Sequence, residues 1–285
     1  MQYEKTEKLL GKGGYSSVYL CKKKIDSNKK YAMKISEENK NMTKNHLLIE
    51  YKILKHLSGG IGIPKVYSFG KENNESNSYY YLVQQLLGNN LSQEFKKYKN
   101  KIPKDIYINI ALQMISRIEF LHSKGFIHCD IKPDNFALGL DNNDNKDNKD
   151  NNYTVYLIDY GLVEPYLNLK TKQHKSPKEK KGHKGTMDYC SMNSHMEMSL
   201  SRRDDLESLA YCLIYLWCGK LPWLNKYSNG YNHEGIMNLK IEFCSYGCDI
   251  KKIPKNLKLF LDYVIKLKFE EVPDYKYLKQ LIKDL

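Results

Sequence analysis

The stretch Phe126-Ile127-His128-Cys129-Asp130-Ile131-Lys132-Pro133-Asp134-Asn135 constrains this chain more than any other. It sets a carboxylate, a lysine two residues on and an amide three residues after that into a segment that Pro133 keeps from becoming helix. A carboxylate in such a loop can accept a proton from a hydroxyl. The lysine can neutralise a transferring phosphoryl group, and the amide can hold a metal ion. An isolated Asp-x-Lys would carry little information, so its meaning rests on the segments that flank it in order.

Upstream, Leu10-Gly11-Lys12-Gly13-Gly14-Tyr15-Ser16-Ser17-Val18-Tyr19-Leu20 reads as strand, glycine turn, strand. Glycines there let backbone close over phosphates, although an ordinary hairpin has the same pattern. Tyr31-Ala32-Met33-Lys34-Ile35 is a β-like run carrying one lysine. On an apolar strand face that lysine needs a partner or a ligand; on an edge strand it would simply be solvated. Its expected partner is Glu50, on a helix whose Ile49, Ile53 and Leu57 recur every four residues. Val66–Gly70 and Tyr79–Val83 read as two antiparallel strands, after which Gln85-Leu86-Leu87-Gly88 leaves the sheet.

Downstream, Leu91–Tyr98 and Ile106–Ser123 read as helices, the second with Ile110, Met114, Ile118 and Leu121 near one stripe and a Lys124-Gly125 stop. Residues 141–152 are a polar Asn/Asp/Lys run that cannot bury a core, expected to be a disordered hairpin tip. The run lacks the central glycine and terminal glutamate of a calcium loop. Thr154–Ile158 is an apolar strand that ends in Asp159-Tyr160-Gly161, 29 residues past Asp130. An Asp-x-Gly is often only a turn; placed here, Asp159 is a candidate metal ligand. Residues 169–184 hold seven lysines, two histidines and one glutamate, which fits either a solvated loop or a guide for acidic substrates. Further helices are expected around Leu221–Trp223 and over Leu257–Leu267.

Net charge is +13. That is compatible with a lysine-rich solvated surface, an acidic peptide partner or nucleic acid, the last without support from any aromatic-interleaved or helix-turn-helix pattern. No run of about 18 apolar residues predicts a membrane span. The charged start lacks an apolar signal region, and the seven cysteines lack zinc-site spacing and read as reduced thiols. A cytoplasmic or nuclear monomer is expected.

Taken in order, these segments resemble the protein kinases, with patterns G-x-G-x-x-G-x-V, H-R-D-x-x-x-x-N and D-F-G. Here Ser16, Cys129 and Tyr160 replace the third glycine, the arginine and the phenylalanine. Gly59–Pro64, Asp130–Phe136, Ser201–Leu209, Leu221–Trp223 and Pro273–Leu278 narrow the resemblance to the casein kinase 1 group over nearly the whole chain. Asp159–Val163 and Gly185–Tyr189 lean towards the related vaccinia-related kinases. The resemblance implies an α+β bilobal fold with a β-rich N-lobe (1–84), a hinge (85–88) and a mainly helical C-lobe (89–285).

It further implies a serine/threonine protein kinase using ATP and Mg²⁺ on protein substrates. Asp130 would take or orient the hydroxyl proton and Lys132 would stabilise the γ-phosphate. Lys34, oriented by Glu50, would hold the α/β-phosphates, and Asn135 and Asp159 would hold Mg²⁺. Leu10, Gly11, Lys12, Gly13, Gly14, Tyr15, Ser16 and Val18 would cover the nucleotide. Gln85 and Leu87 would receive adenine, with Gln84 behind. Thr186 would stand near Asp130 and Lys132, and Asp205 would bond the catalytic-loop backbone. Two departures change the expectation. Cys129 removes the arginine that clamps a phosphorylated activation segment, so activity should not depend on such a phosphate. Asp188 stands where the group has an arginine that helps bind a phosphate already on the substrate, and it would repel one. A pseudokinase scaffold that binds partners without chemistry is the alternative; nucleotide binding without turnover would favour it.

Overall fold

The structure is a computed structural model describing residues 2–14, 16–37, 45–73, 78–140, 153–168, 170–178, 182–226, 232–245 and 253–285. Tyr15, the polar run 141–152, and residues 169 and 179–181 of the basic segment lie outside the described residues.

The N-terminal region is an antiparallel sheet of β1 (Tyr3–Lys12), β2 (Ser17–Lys23), β3 (Asp26–Glu37), β4 (Val66–Asn73) and β5 (Ser78–Gln85), in the order β1-β2-β3-β5-β4. β3 is longer than Tyr31–Ile35 because its pairing with β2 continues to Lys23↔Asp26. Strand alternation decides the rest. Met33 faces a small cluster with Tyr3, Cys21 and Val83. Lys34, one residue on and opposite Leu82, faces the other way. Helix α1 (His46–His56) packs on that second face and is capped by the Asn45 side chain, which accepts from Leu48 N–H at 2.9 Å. Its buried residues are Leu47, Glu50, Ile53 and Leu54, followed by Leu57, while Ile49 is only partly buried. The buried stripe is therefore rotated from the expected one, and the rotation turns Glu50 inward.

The C-terminal region is mainly helical: α2 (Leu91–Lys97), α3 (Lys104–Ser123), α4 (Met192–His195), α5 (Arg202–Cys218), α6 (His233–Ser245), α7 (Lys255–Lys266) and α8 (Tyr275–Lys283). Ile110, Met114, Ile118 and Leu121 of α3 are all buried, as their spacing predicts. The expected helix at Leu221–Trp223 is instead a turn, since Pro222 cannot donate to a helix. Trp223 is fully buried there and donates to the Asp188 carbonyl at 2.7 Å. Together the two regions form a bilobal fold. No helix among the described residues is long and apolar enough to cross a membrane.

Two short ribbons build the region between the lobes. β6 (Phe126–Ile127) pairs with β9 (Glu164–Pro165), and β7 (Phe136–Leu138) pairs with β8 (Val155–Leu157). The second ribbon brings Asn135, just before β7, next to the chain leaving β8: Ile158 N–H donates to the Asn135 carbonyl at 2.9 Å. β8 lies within the apolar run Thr154–Ile158 expected to be a strand, whereas β6, β7 and β9 are too short to read from sequence and only their pairing defines them.

Candidate active site

Asp130 is 8% exposed. Its Oδ1 accepts from the Thr186 hydroxyl at 2.8 Å. Its Oδ2 lies 2.8 Å from Lys132 Nζ and 3.1 Å from Asn135 Nδ2. Lys132 also donates to Thr186 Oγ1 at 2.8 Å, closing a ring of polar contacts around the carboxylate. Asn135 Nδ2 further donates to the Asp130 carbonyl at 2.7 Å, so the amide nitrogen is turned inward and the amide oxygen is the atom left to offer a cation.

The backbone beneath is held from α5. Asp205 accepts from His128 N–H at 2.6 Å, from Cys129 N–H at 2.9 Å and from His122 Nε2 at 2.9 Å. Burial lowers the His122 pKa against the opposing pull of Asp205, so this imidazole is neutral and donates through Nε2. Cys129 has φ +66°, a left-handed conformation that costs a β-carbon residue roughly 1–2 kcal/mol. The carboxylate that binds its N–H is what holds it there.

On the opposite wall, Lys34 Nζ is 2.7 Å from Glu50 Oε2 and 2.7 Å from Asp159 Oδ1. Burial alone would push the Lys34 ammonium down; the two carboxylates outweigh it and hold it charged, with a raised pKa. Burial works against the Asp159 carboxylate too, but Lys34 prevails and lowers its pKa. Burial raises that of Glu50 against the pull of Lys34. Asp159 is left-handed, at φ +64°, and its side chain is 46% exposed, open to the cleft. The turn after it, Tyr160–Leu162, is tied to α1 by His46 Nδ1, 3.0 Å from the Gly161 carbonyl.

These two clusters face one cleft of about 340 Å³ that Gly13, Gly14 and Ser16 also line. It brings together Gly13, Gly14, Ser16, Lys34, Glu50, Asp130, Lys132 and Asp159 from the predicted set. Leu10, Gly11, Lys12, Val18, Gln85, Leu87 and Asn135 are not among its lining residues; Asn135 is buried behind Asp130, to which its amide is bonded. Leu10, Gly11, Lys12 and Val18 form the β1–β2 hairpin, with Gly11 opposite Val18 and the turn closed by Gly13 N–H to the Ser16 carbonyl at 2.8 Å. Gln85 ends β5 and donates through Nε2 to Tyr156 Oη at 3.2 Å. A β-carbon on Gly11 or Gly14 would meet nothing within 4 Å, so packing inside the protein does not require glycine at either position.

Two side chains escaped sequence reasoning. Glu164 pairs with Lys184, which the sequence shows only as one lysine of the basic segment 169–184. Lys240 is wholly buried under residues 187–190, donating to the Met187 carbonyl at 2.9 Å and the Cys190 carbonyl at 2.6 Å. A signal existed for Lys240: with Ile236 and Phe243 it falls on the buried stripe of α6. None existed for Glu164.

The family model for the protein kinase domain matches residues 3–283. The chain belongs to the protein kinase family: it is a phosphotransferase of a family that typically uses ATP and Mg²⁺.

Proposed function

We propose that the protein is a serine/threonine kinase of the casein kinase 1 type, transferring the γ-phosphoryl group of ATP to protein hydroxyls. The observation that carries this reading is the Asp130 carboxylate, held at 2.8 Å by both Thr186 and Lys132 in a cleft whose other wall presents Lys34. Lys132 supports an aliphatic hydroxyl as acceptor, since a lysine two residues after the aspartate is the serine/threonine pattern of the resemblance.

The donor set suits a magnesium nucleotide. Asp159 is an open carboxylate, Asn135 has its amide oxygen to give, and Lys34 is a buried cation between two carboxylates. No group of three or more histidine, cysteine, aspartate or glutamate side chains among the described residues could hold a metal by itself, so phosphate oxygens and water would complete the shell of Mg²⁺. When bound, Mg-ATP supplies the transferable phosphoryl group and the cationic charge that offsets its oxygens.

The chain's own residues do the rest. Asp130 orients the substrate hydroxyl and takes its proton, while Lys132 neutralises charge on the phosphoryl oxygens. Lys34, oriented by Glu50, holds the α/β-phosphates, and the Gly11–Ser16 turn covers them. Residues 85–88 serve as the hinge between a 1–84 lobe and an 89–285 lobe, with Gln85 and Leu87 at the adenine. Catalysis by positioning and charge neutralisation fits a turnover of roughly 1–100 s⁻¹.

Acidic segments are the substrates favoured by a net charge of +13 and by the exposed Lys170, Lys172, Lys175 and Lys178. Asp188, whose carboxylate accepts from Asn225 N–H at 3.3 Å, disfavours a substrate phosphate beside it. The test is transfer of labelled γ-phosphate from Mg-ATP to casein by wild type and Asp159→Asn. Label on serine or threonine with wild type alone supports the proposal. Nucleotide binding without transfer, on casein and on panels of acidic and basic peptides, overturns it in favour of a scaffold.

A further inference from the structure

Cys129 leaves the catalytic loop without the arginine that would receive an activation-segment phosphate, yet the end of that segment is firmly placed. Glu164 Oε1 lies 2.5 Å from Lys184 Nζ, with side chains 26% and 20% exposed. Glu164 belongs to β9, whose partner β6 carries the catalytic loop; Ile127 pairs directly with Glu164. Lys184 is also pinned through its backbone, where its N–H donates to Ser194 Oγ at 3.2 Å and its carbonyl accepts from the same hydroxyl at 2.6 Å. Lys184 and Cys129 line one small cavity. Two residues later, Thr186 bonds Asp130. Between them, Gly185 has φ +85°, and a β-carbon on it would stand 2.7 Å from the Cys129 carbonyl. The segment therefore sits as close to the catalytic loop as backbone contact allows.

We propose that the Glu164–Lys184 ion pair does the work of a phosphate–arginine clamp, with the charges reversed in place. The segment contributes the cation and β9 contributes the anion. Glu164 and Lys184 are positioning residues, acting on Asp130 through Gly185 and Thr186. An activation segment that needs phosphorylation is ordered when a new anion finds arginine. Here the anion is part of the chain, and Lys184 reaches it with no added phosphate. The inference rests on the kinase reading and adds to it which residues set the segment.

The experiment compares wild type, Glu164→Gln, Lys184→Met and the exchanged pair Glu164→Lys/Lys184→Glu in steady-state transfer from Mg-ATP to casein. Each single change is expected to lower kcat roughly tenfold while leaving KM for ATP within about twofold, because the loss is one of acceptor-side alignment. The exchanged pair is expected to recover to within about threefold of wild type. Singles that match wild type, or an exchanged pair no better than the singles, overturn the proposal. Wild-type protein treated with phosphatase gives a readout independent of how any variant folds. Full activity without a lag supports the clamp, and activity lost or delayed after treatment overturns it. Transfer undetectable in untreated wild type is a different outcome: it removes the kinase reading, and the clamp with it.

Discussion

Replacing Asp205 with asparagine separates support of the catalytic-loop backbone from the chemistry, because Asp205 lies under the catalytic loop and touches none of the proposed reacting groups. Its Oδ2 accepts from His128 N–H and His122 Nε2, and its Oδ1 accepts from Cys129 N–H. An asparagine has one acceptor oxygen. In its better orientation it keeps the two bonds at Oδ2 and turns an NH₂ towards the Cys129 N–H, a donor facing a donor. One charge-assisted bond is lost, at about 1.5–3 kcal/mol, and the two survivors weaken by about half. The sum is about 3–6 kcal/mol. Unfolding entropy near 2.1 cal/mol/K per residue gives about 0.6 kcal/mol/K for 285 residues, so Tm should fall by about 5–10 °C. Part of that loss can be recovered if Cys129 relaxes out of its left-handed conformation at φ +66°, which would move Asp130 and lower kcat by at least about 100-fold. Calorimetry and labelled-phosphate transfer on the same preparations measure both. A Tm within about 2 °C of wild type together with kcat within threefold would refute the reasoning. It would mean that Cys129 keeps its conformation without the carboxylate.

Two further perturbations test the electrostatics. Lys34→Met leaves Glu50 buried without its cation, at a cost of about 3–5 kcal/mol. Burial already raises the Glu50 pKa and Lys34 opposes that, so the variant raises it further. The folded state then binds more protons than the unfolded one above the ordinary carboxylate pKa, and stability falls as pH rises from there. The Tm deficit of the variant should be larger at pH 8 than at pH 5; an equal deficit at both would show that Glu50 gains water instead. Glu207, pushed up to about 7 by burial, accepts from Met192 N–H and Tyr211 Oη–H at 2.8 Å each. Its folded pKa exceeds its unfolded one, so wild type should lose up to about 3 kcal/mol as pH rises from about 4.5 to 7. Glu207→Gln should flatten that part of the Tm–pH curve, and an unchanged slope would place the titration elsewhere.

What could be read from the chain, and what could not, divides along the distance over which each contact is made. The catalytic loop, the lysine strand, the Asp159 turn and the long helices were legible because each is local: Pro133 blocks a helix, alternation turns Lys34 away from Met33, and Ile110, Met114, Ile118 and Leu121 share one face. The Lys34–Glu50 pair was legible because a charge on a buried strand face demands a partner, and the next helix offered one. The rest depended on folding. Ile49 reads as core, but packing buries Leu47, Glu50, Ile53 and Leu54 and leaves Ile49 at the core's edge. Of the strands around the catalytic loop only β8, inside the apolar run Thr154–Ile158, could be read; β6, β7 and β9 are two or three residues long and exist only as pairs. Lys184 resembled its neighbours in a solvated basic segment until β9 brought Glu164 to it from 20 positions away. Short-range sterics and hydrophobic period are written in the sequence and set which elements form. Which charge meets which, across long separations, is decided when the elements pack and water is removed from between them.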